Sequence, residues 1–223
     1  NLPAVIAAAE AQAPDFLLLI TAIDDAKTIL EAKNAPALAK ARLLLADSLH
    51  SVDLVNAVSD KSRLVGALGT LPGDPFGKVY KTLQNSFLLA YGADSTQRSY
   101  TAHSYDAAMA LMLAHAWALR SDAAAVIDGA VLADGMKQLS DKTGPAHTLE
   151  PTSIVAAVSD LLAGKSIDIV GASGPLDFDP ATGEPTSAVE VWRIKADGSF
   201  ETLHFVRATP NGTDWTFEEF PPP

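Results

Sequence analysis

The chain has 223 residues, enough for one good core or two modest lobes, and its 48% hydrophobic and 19% charged residues give the balance of an ordered globular protein. A formal charge of −11 argues against nucleic-acid backbones and anionic membrane surfaces as partners. The absence of cysteine excludes disulfides, thiolate catalysis and sulfur-ligated metals.

The opening Asn1-Leu2-Pro3 lacks a methionine, a basic start and a cleavage pattern, and reads as the start of a mature or trimmed chain. Residues 3–12 read as a helix with proline in its first turn. Pro14-Asp15 then breaks the chain before the apolar run 16–21, a strand of the kind buried on both faces of a parallel sheet. Asp24-Asp25 can cap a helix that lasts to about Asn34. A strand at 42–46 follows, then the polar turn Asp47-Ser48, a helix at 52–58 and a strand at 64–68. This is an α/β lobe of strand, helix, strand, helix, strand. Its parallel sheet would carry helices on its faces.

The segment 69–73 reads as a crossover between lobes. Helices are expected at 74–91, with Phe76, Val79, Tyr80, Leu83 and Phe87 on one face, and at 105–119 behind Ser104 as cap. Two more are expected at 123–138 and 151–162. A strand at 167–170 precedes the loop GASGPLDFDPATGEPTS, and two alternating strands at 189–195 and 200–206 share the turn Ala196-Asp197-Gly198-Ser199. The final PPP reads as a tail. Neither apolar run, 16–22 or 107–119, is long enough to span a bilayer.

Tyr105-Asp106-Ala107-Ala108 at the head of an alanine-rich helix resembles the "YDA" helix of the type I periplasmic binding proteins, the leucine/isoleucine/valine-binding protein-like substrate-binding components of ABC transporters. Gly174-Pro175-Leu176-Asp177-Phe178-Asp179 with Gly183 is similar to their late "G-x-[FL]-x-F-D-x-x-G" stretch, and VEVWRIKADGSF to the strand pair that follows it. Leu68-Gly69-Thr70 with Pro72 resembles the crossover after a second-lobe strand, and residues 15–34 resemble that lobe's strand-helix unit. The resemblance implies a two-lobed fold with Rossmann-like parallel sheets and a hinge of three crossings. Residues 1–71 and 186–223 would belong to the second lobe and 72–185 to the first. The N-terminal portion, with most first-lobe strands, would be missing.

Asp47 follows a buried parallel strand at the carboxyl edge, where α/β sheets place their ligands. In the amino-acid-binding relatives an acidic residue here accepts hydrogen bonds from the ligand ammonium, which is the role the resemblance implies for Asp47. Its alternative is to cap the following turn with Ser48 and Ser51. Thr21 and Ala22, with Ile23, end the preceding strand and would face the same cleft, with Ser48 beside Asp47. Relatives often place an aromatic residue where Ala22 stands. Asp106 is explained by the dipole of its helix, and Tyr105 by burial against the sheet, with the hinge side of the cleft as its alternative.

Other motifs fail on their context. Gly164-Lys165-Ser166 lacks the first glycine of a phosphate loop, Ser159 standing in its place, and lies between helix and strand in the wrong order. Asp177-Phe178-Asp179 begins like a calcium loop, but Ala181 and Thr182 stand where a ligand and the glycine belong. The five histidines show no metal-ligand spacing, and no G-x-S-x-G elbow is present. The sequon 211–213 matters only in a eukaryotic secretory route. With no nucleophile, metal or dinucleotide signature an enzyme is disfavoured, and no cofactor is expected.

The expected function is that of an extracytoplasmic solute-binding component of an ABC importer, periplasmic or extracellular. It would capture a small polar ligand such as an amino acid by hinge closure. Its partners would be that ligand, the membrane permease and the N-terminal portion of the same protein, not nucleic acid, and a lipid anchor would lie outside the fragment. A ligand-sensing receptor ectodomain of the same fold is the alternative.

Overall fold

The computed structural model describes the chain except residues 74–76, 122–125, 180–181, 186, 212–213 and 223 and the side chain of Pro210. The chain divides into two units, one formed by Asn1–Pro72, Thr96–Ser99 and Ala188–Pro223, the other by Gly73–Ser95 and Tyr100–Ser187.

The first unit contains α1 (Leu2–Glu10), β1 (Phe16–Leu19), α2 (Ile23–Leu30), β2 (Arg42–Leu45), α3 (Val52–Ala57) and β3 (Leu68–Pro72). From the second unit onward the elements are α4 (Lys78–Tyr91), α5 (Thr101–Ala118), α6 (Gly129–Met136), β4 (Ala146–Thr148), α7 (Pro151–Leu162) and β5 (Asp168–Val170). The chain then returns to the first unit with β6 (Val189–Ile194), β7 (Phe200–Asn211) and β8 (Asp214–Phe220).

One six-stranded sheet, in the order β1-β2-β3-β6-β7-β8, organises the first unit. Strands β1, β2 and β3 are parallel, and β3 joins β6 antiparallel in a register that sets Gly69 opposite Trp192. Helices α2 and α3 cover one face, where Leu19, Leu43, Leu45, Leu54, Trp192 and Ile194 form the core. The other face differs from the expectation of two-sided burial. Phe16, Leu18 and Ile20 are exposed at 55, 58 and 76%, because β1 alternates between faces and the helices after β1 and β2 pack on the same side.

The third parallel strand begins later than the apolar pattern suggested. Lys61–Leu64 forms a 3-10 turn, capped by the Asp60 carboxylate on the amide of Ser62 at 3.0 Å. Gly66 then takes a positive φ of 82°, which breaks any extended run through 64–68. Leu64 is buried all the same, so its burial reflects a packed turn and not a strand. At the other end of the sheet β7 runs to Asn211 and pairs with β8, a strand not anticipated from the sequence.

The second unit holds a two-stranded parallel sheet, β4 with β5, against helices α5 and α7. Leu113, Leu139, Leu149, Leu161, Ile167 and Ile169 fill its core. Helix α5 starts at Thr101, behind Tyr100 at φ 65°, and Ser104 lies inside its first turn, donating its amide to the Tyr100 carbonyl. In the first unit Asp24 and Asp25 likewise sit within the first turn of α2 and do not cap it; Ala22 holds that position. The expected helix starts at 74 and 123, with Phe76, and the residues Ala181, Gly212 and Thr213 lie outside the described residues.

Gly69 is required by its neighbour. A Cβ there would fall within the indole ring of Trp192, itself fully buried. Gly69→Ala is therefore expected to lower the unfolding free energy by about 2 kcal/mol or more, the scale of overpacking in a filled core. Chemical denaturation measures this, and an unchanged midpoint would mean that the ring does not occupy the space above residue 69.

Candidate functional site

The carboxyl ends of β1 and β2 lie side by side because the strands run parallel and in register, Leu19 opposite Leu45. The amide of Ala46 donates to the Leu19 carbonyl at 3.0 Å as the last rung. Beyond it both strands turn away, one at Thr21-Ala22 into α2 and the other at Asp47 into a 3-10 turn. Ser48 Oγ donates to the Thr21 carbonyl at 3.0 Å, so the two loops are tied to each other. Thr21 Oγ1 donates to Asp25 Oδ2 at 3.4 Å, and Ala22 is exposed at the head of α2. The fold thus brings Thr21, Ala22, Asp47 and Ser48 together at one sheet edge.

Asp47 is half-buried. Its Oδ1 accepts the amide of Ser48 at 2.7 Å, and its carbonyl accepts the amide of His50 at 3.0 Å. The cap of α3 is Ser51, whose Oγ accepts the amide of Asp53 at 3.1 Å. Arg98 grips the Asp53 carboxylate with both Nε and Nη2, at 3.1 and 3.0 Å.

The second unit has polar clusters at its own strand ends that sequence reasoning missed. Glu150, just past β4, is buried and accepts from Lys78 Nζ at 3.1 Å, Thr82 Oγ1 at 3.2 Å and Thr148 Oγ1 at 3.1 Å. The Lys78 ammonium, with the two hydroxyls, holds its carboxyl below the ordinary glutamate range. Past β5, the buried Asp106 carboxylate accepts the amides of Ala172 and Ser173, each at 2.7 Å, and Ser173 Oγ at 2.6 Å. Asp106 therefore clamps the 171–174 loop, a role beyond the dipole explanation that its sequence position suggested. Tyr105 donates its hydroxyl to the Leu149 carbonyl at 2.7 Å. Lys78 and Thr82 lie one turn apart on α4, but Glu150, Asp106 and Ser173 come from distant segments, and no local motif links them.

No family model and no curated protein matches this chain. Solved structures do. The leucine-binding protein LivK of Thermotoga maritima superposes with a TM-score of 0.64 at 18% identity, over 93% of this chain and 49% of that one. A branched-chain amino acid ABC transporter protein of Rhodospirillum rubrum gives 0.50 at 20% identity, over 91% of this chain and 48% of its own. The chain has the LivK fold. It spans about half the length of the structures it matches.

Within this LivK fold the turn that carries Asp47 rests on a residue that sequence alone could not single out. His50 is 5% exposed and lies edge-on to Trp192, with ring centroids 4.9 Å apart, and tilted against Phe200 at 4.1 Å. Its carbonyl accepts the amide of Ser99 at 2.9 Å, while Nδ1 finds no partner among the described residues. Burial lowers its pKa to about 4, since desolvation penalises the imidazolium. The unfolded chain takes up this proton near the ordinary value of about 6.5, and the folded chain does not. Stability is thus whole above pH 6.5, falls as pH drops towards 4, and loses about 3 kcal/mol over that window. Unfolding midpoints of the wild type and His50→Gln across pH 4 to 7 measure the effect. The variant should show the shallower slope, and parallel slopes would mean that His50 is not held neutral.

Proposed function

We propose that this chain is part of an extracytoplasmic solute-binding protein that captures a small polar ligand, an amino acid, for an ABC importer, without chemical conversion. The observation that carries the reading is the position of Asp47. It sits at the carboxyl edge of parallel strands in a LivK fold, the edge where open α/β sheets bind ligands.

On this reading Asp47 accepts hydrogen bonds from the ligand ammonium. A contact of that kind is among the stronger polar interactions a cleft can offer. Thr21 and Ser48 supply hydroxyls beside it, and exposed Ala22 leaves the wall open where an aromatic residue would close over a side chain. The first unit would be part of the second lobe of such a protein, and the second unit part of the first lobe. A membrane permease would be the macromolecular partner, and the place of work periplasmic or extracellular. Among the described residues no helix is long and apolar enough to cross a membrane.

Asp47→Asn in the full gene product tests the assignment. Asparagine keeps the size and a carbonyl able to accept the Ser48 amide, so thermal melts should be unchanged. Affinity for an amino acid ligand should fall by roughly 1.5 to 3 kcal/mol, about ten- to over a hundredfold, in calorimetric titration. Unchanged affinity would leave Asp47 as a turn residue, and a lower melting point without loss of affinity would assign it a purely structural role.

A further inference from the structure

At the amino edge of the same sheet, opposite the end that carries Asp47, lies a hollow of about 1070 Å³. It is bounded by the start of β2, the turn before β3 and the end of β6. Five cationic side chains line it, Lys33, Lys40, Arg42, Arg63 and Arg193. Only two carboxylates, Glu31 and Asp60, stand with them, in a chain where acidic residues outnumber basic ones by 27 to 16.

Both carboxylates are already engaged. Glu31 Oε1 accepts the amide of Ser59 at 2.7 Å, and Asp60 Oδ1 accepts the amide and hydroxyl of Ser62 at 3.0 and 2.6 Å. Among these cations Arg193 has an acidic partner, Glu201 at 2.6 Å. Lys33, Lys40, Arg42 and Arg63 form no ion pair among the described residues. Helices α2 and α3 end at this edge, and each end carries roughly half a negative charge, which offsets part of this charge but not all of it.

Arg63 is the least satisfied of the four. Its Nη2 donates to the Leu38 carbonyl at 2.7 Å, but its buried Nε has no partner among the described residues. A guanidinium stays charged in proteins, and a buried donor left without an acceptor is costly. Arg42 sits at the rim, 5.9 Å from the centre of the Phe16 ring.

The geometry points to a binding site for a small polyvalent oxyanion, a di- or tricarboxylate or a phosphate, seated among Arg63, Arg42, Lys33 and Lys40 and separate from the edge that carries Asp47. Planar guanidinium forks suit carboxylate and phosphate oxygens, and the hollow is roomier than a single inorganic ion requires.

Thermal unfolding and calorimetric titration of the full gene product test this, with citrate and inorganic phosphate as probes and sodium chloride holding the ionic strength fixed. A saturable rise in melting temperature with citrate, phosphate or both is expected, at concentrations where chloride gives none. Arg63→Met, which keeps the apolar stem, should weaken binding at least tenfold. Should that variant fold poorly, the rim double variant Lys33→Gln with Arg42→Gln carries the test and should show the same loss. Equal responses to citrate, phosphate and chloride, or undiminished affinity in the rim variant, would overturn the proposal. So would retention of polyglutamate without any response to the small anions, an outcome that would mark a docking surface for an acidic protein segment. Amino acid affinity at Asp47 is read in the same titrations and should be unaffected.

Discussion

The indole of Trp192 fills the space that Gly69 leaves by having no side chain, and the first unit depends on that fit. It joins the parallel strands laid down early in the sequence to the antiparallel ribbon supplied by the end of the chain. Burying an indole removes about 200 Å² from water, worth roughly 5 kcal/mol as an upper bound. One edge of that ring meets His50, and Phe200 closes against both, at 5.5 Å from Trp192. Since His50 ends the turn that begins with Asp47, the sheet-edge carboxylate is positioned from behind by this aromatic group. A contact between distant parts of the sequence thus sets the geometry of a loop that looks purely local.

The two edges of the sheet have opposite electrostatic character. At the carboxyl edge Asp25 and Asp47 project from the loops that follow β1 and β2. At the amino edge the strand starts and helix ends carry lysines and arginines. Charge at one edge is largely screened from the other, because at ordinary ionic strength the Debye length of about 8 Å is shorter than the roughly 13 Å of a four-residue strand such as β2.

Much of this was legible in the chain. Leucine-rich runs of strand length, separated by helices and ending in polar turns, specify parallel strands, and Asp47 stands out because it follows one of them. What could not be read depends on backbone dihedrals and on distant partners. The run Leu64-Val65-Gly66-Ala67-Leu68 has the composition of a strand, but Gly66 at positive φ and the Asp60 cap make it a turn. The alternation in DWTFEEF behind Asn211-Gly212 was a usable signal for β8 that the sequon reading obscured. His50 carried no signal, and Asp106, though part of the YDA helix start, gave no sign of its clamp. One is defined by rings from β6 and the start of β7, the other by amides of the loop after β5.

The way each loop is fastened bears on what it can do. The loop after β5 is held by three hydrogen bonds to one buried carboxylate, each of the charged kind worth about 1.5 to 3 kcal/mol. The loops after β1 and β2 are tied to each other by a hydroxyl-to-carbonyl bond from Ser48 to Thr21, worth about 1 kcal/mol. Ser48 is exposed, so water replaces that bond at little cost when it opens. On the proposed reading a ligand carboxylate or ammonium arriving beside Asp47 recruits the Ser48 hydroxyl or the Thr21 carbonyl without disturbing the core. The Asp106 clamp offers no such freedom. On the proposed reading, then, the adaptable contacts lie in the loops after β1 and β2. The Asp47 turn is supported by Trp192 and His50 beneath it together with its own bonds, from the Ser48 amide to Asp47 Oδ1 and from the His50 amide to the Asp47 carbonyl.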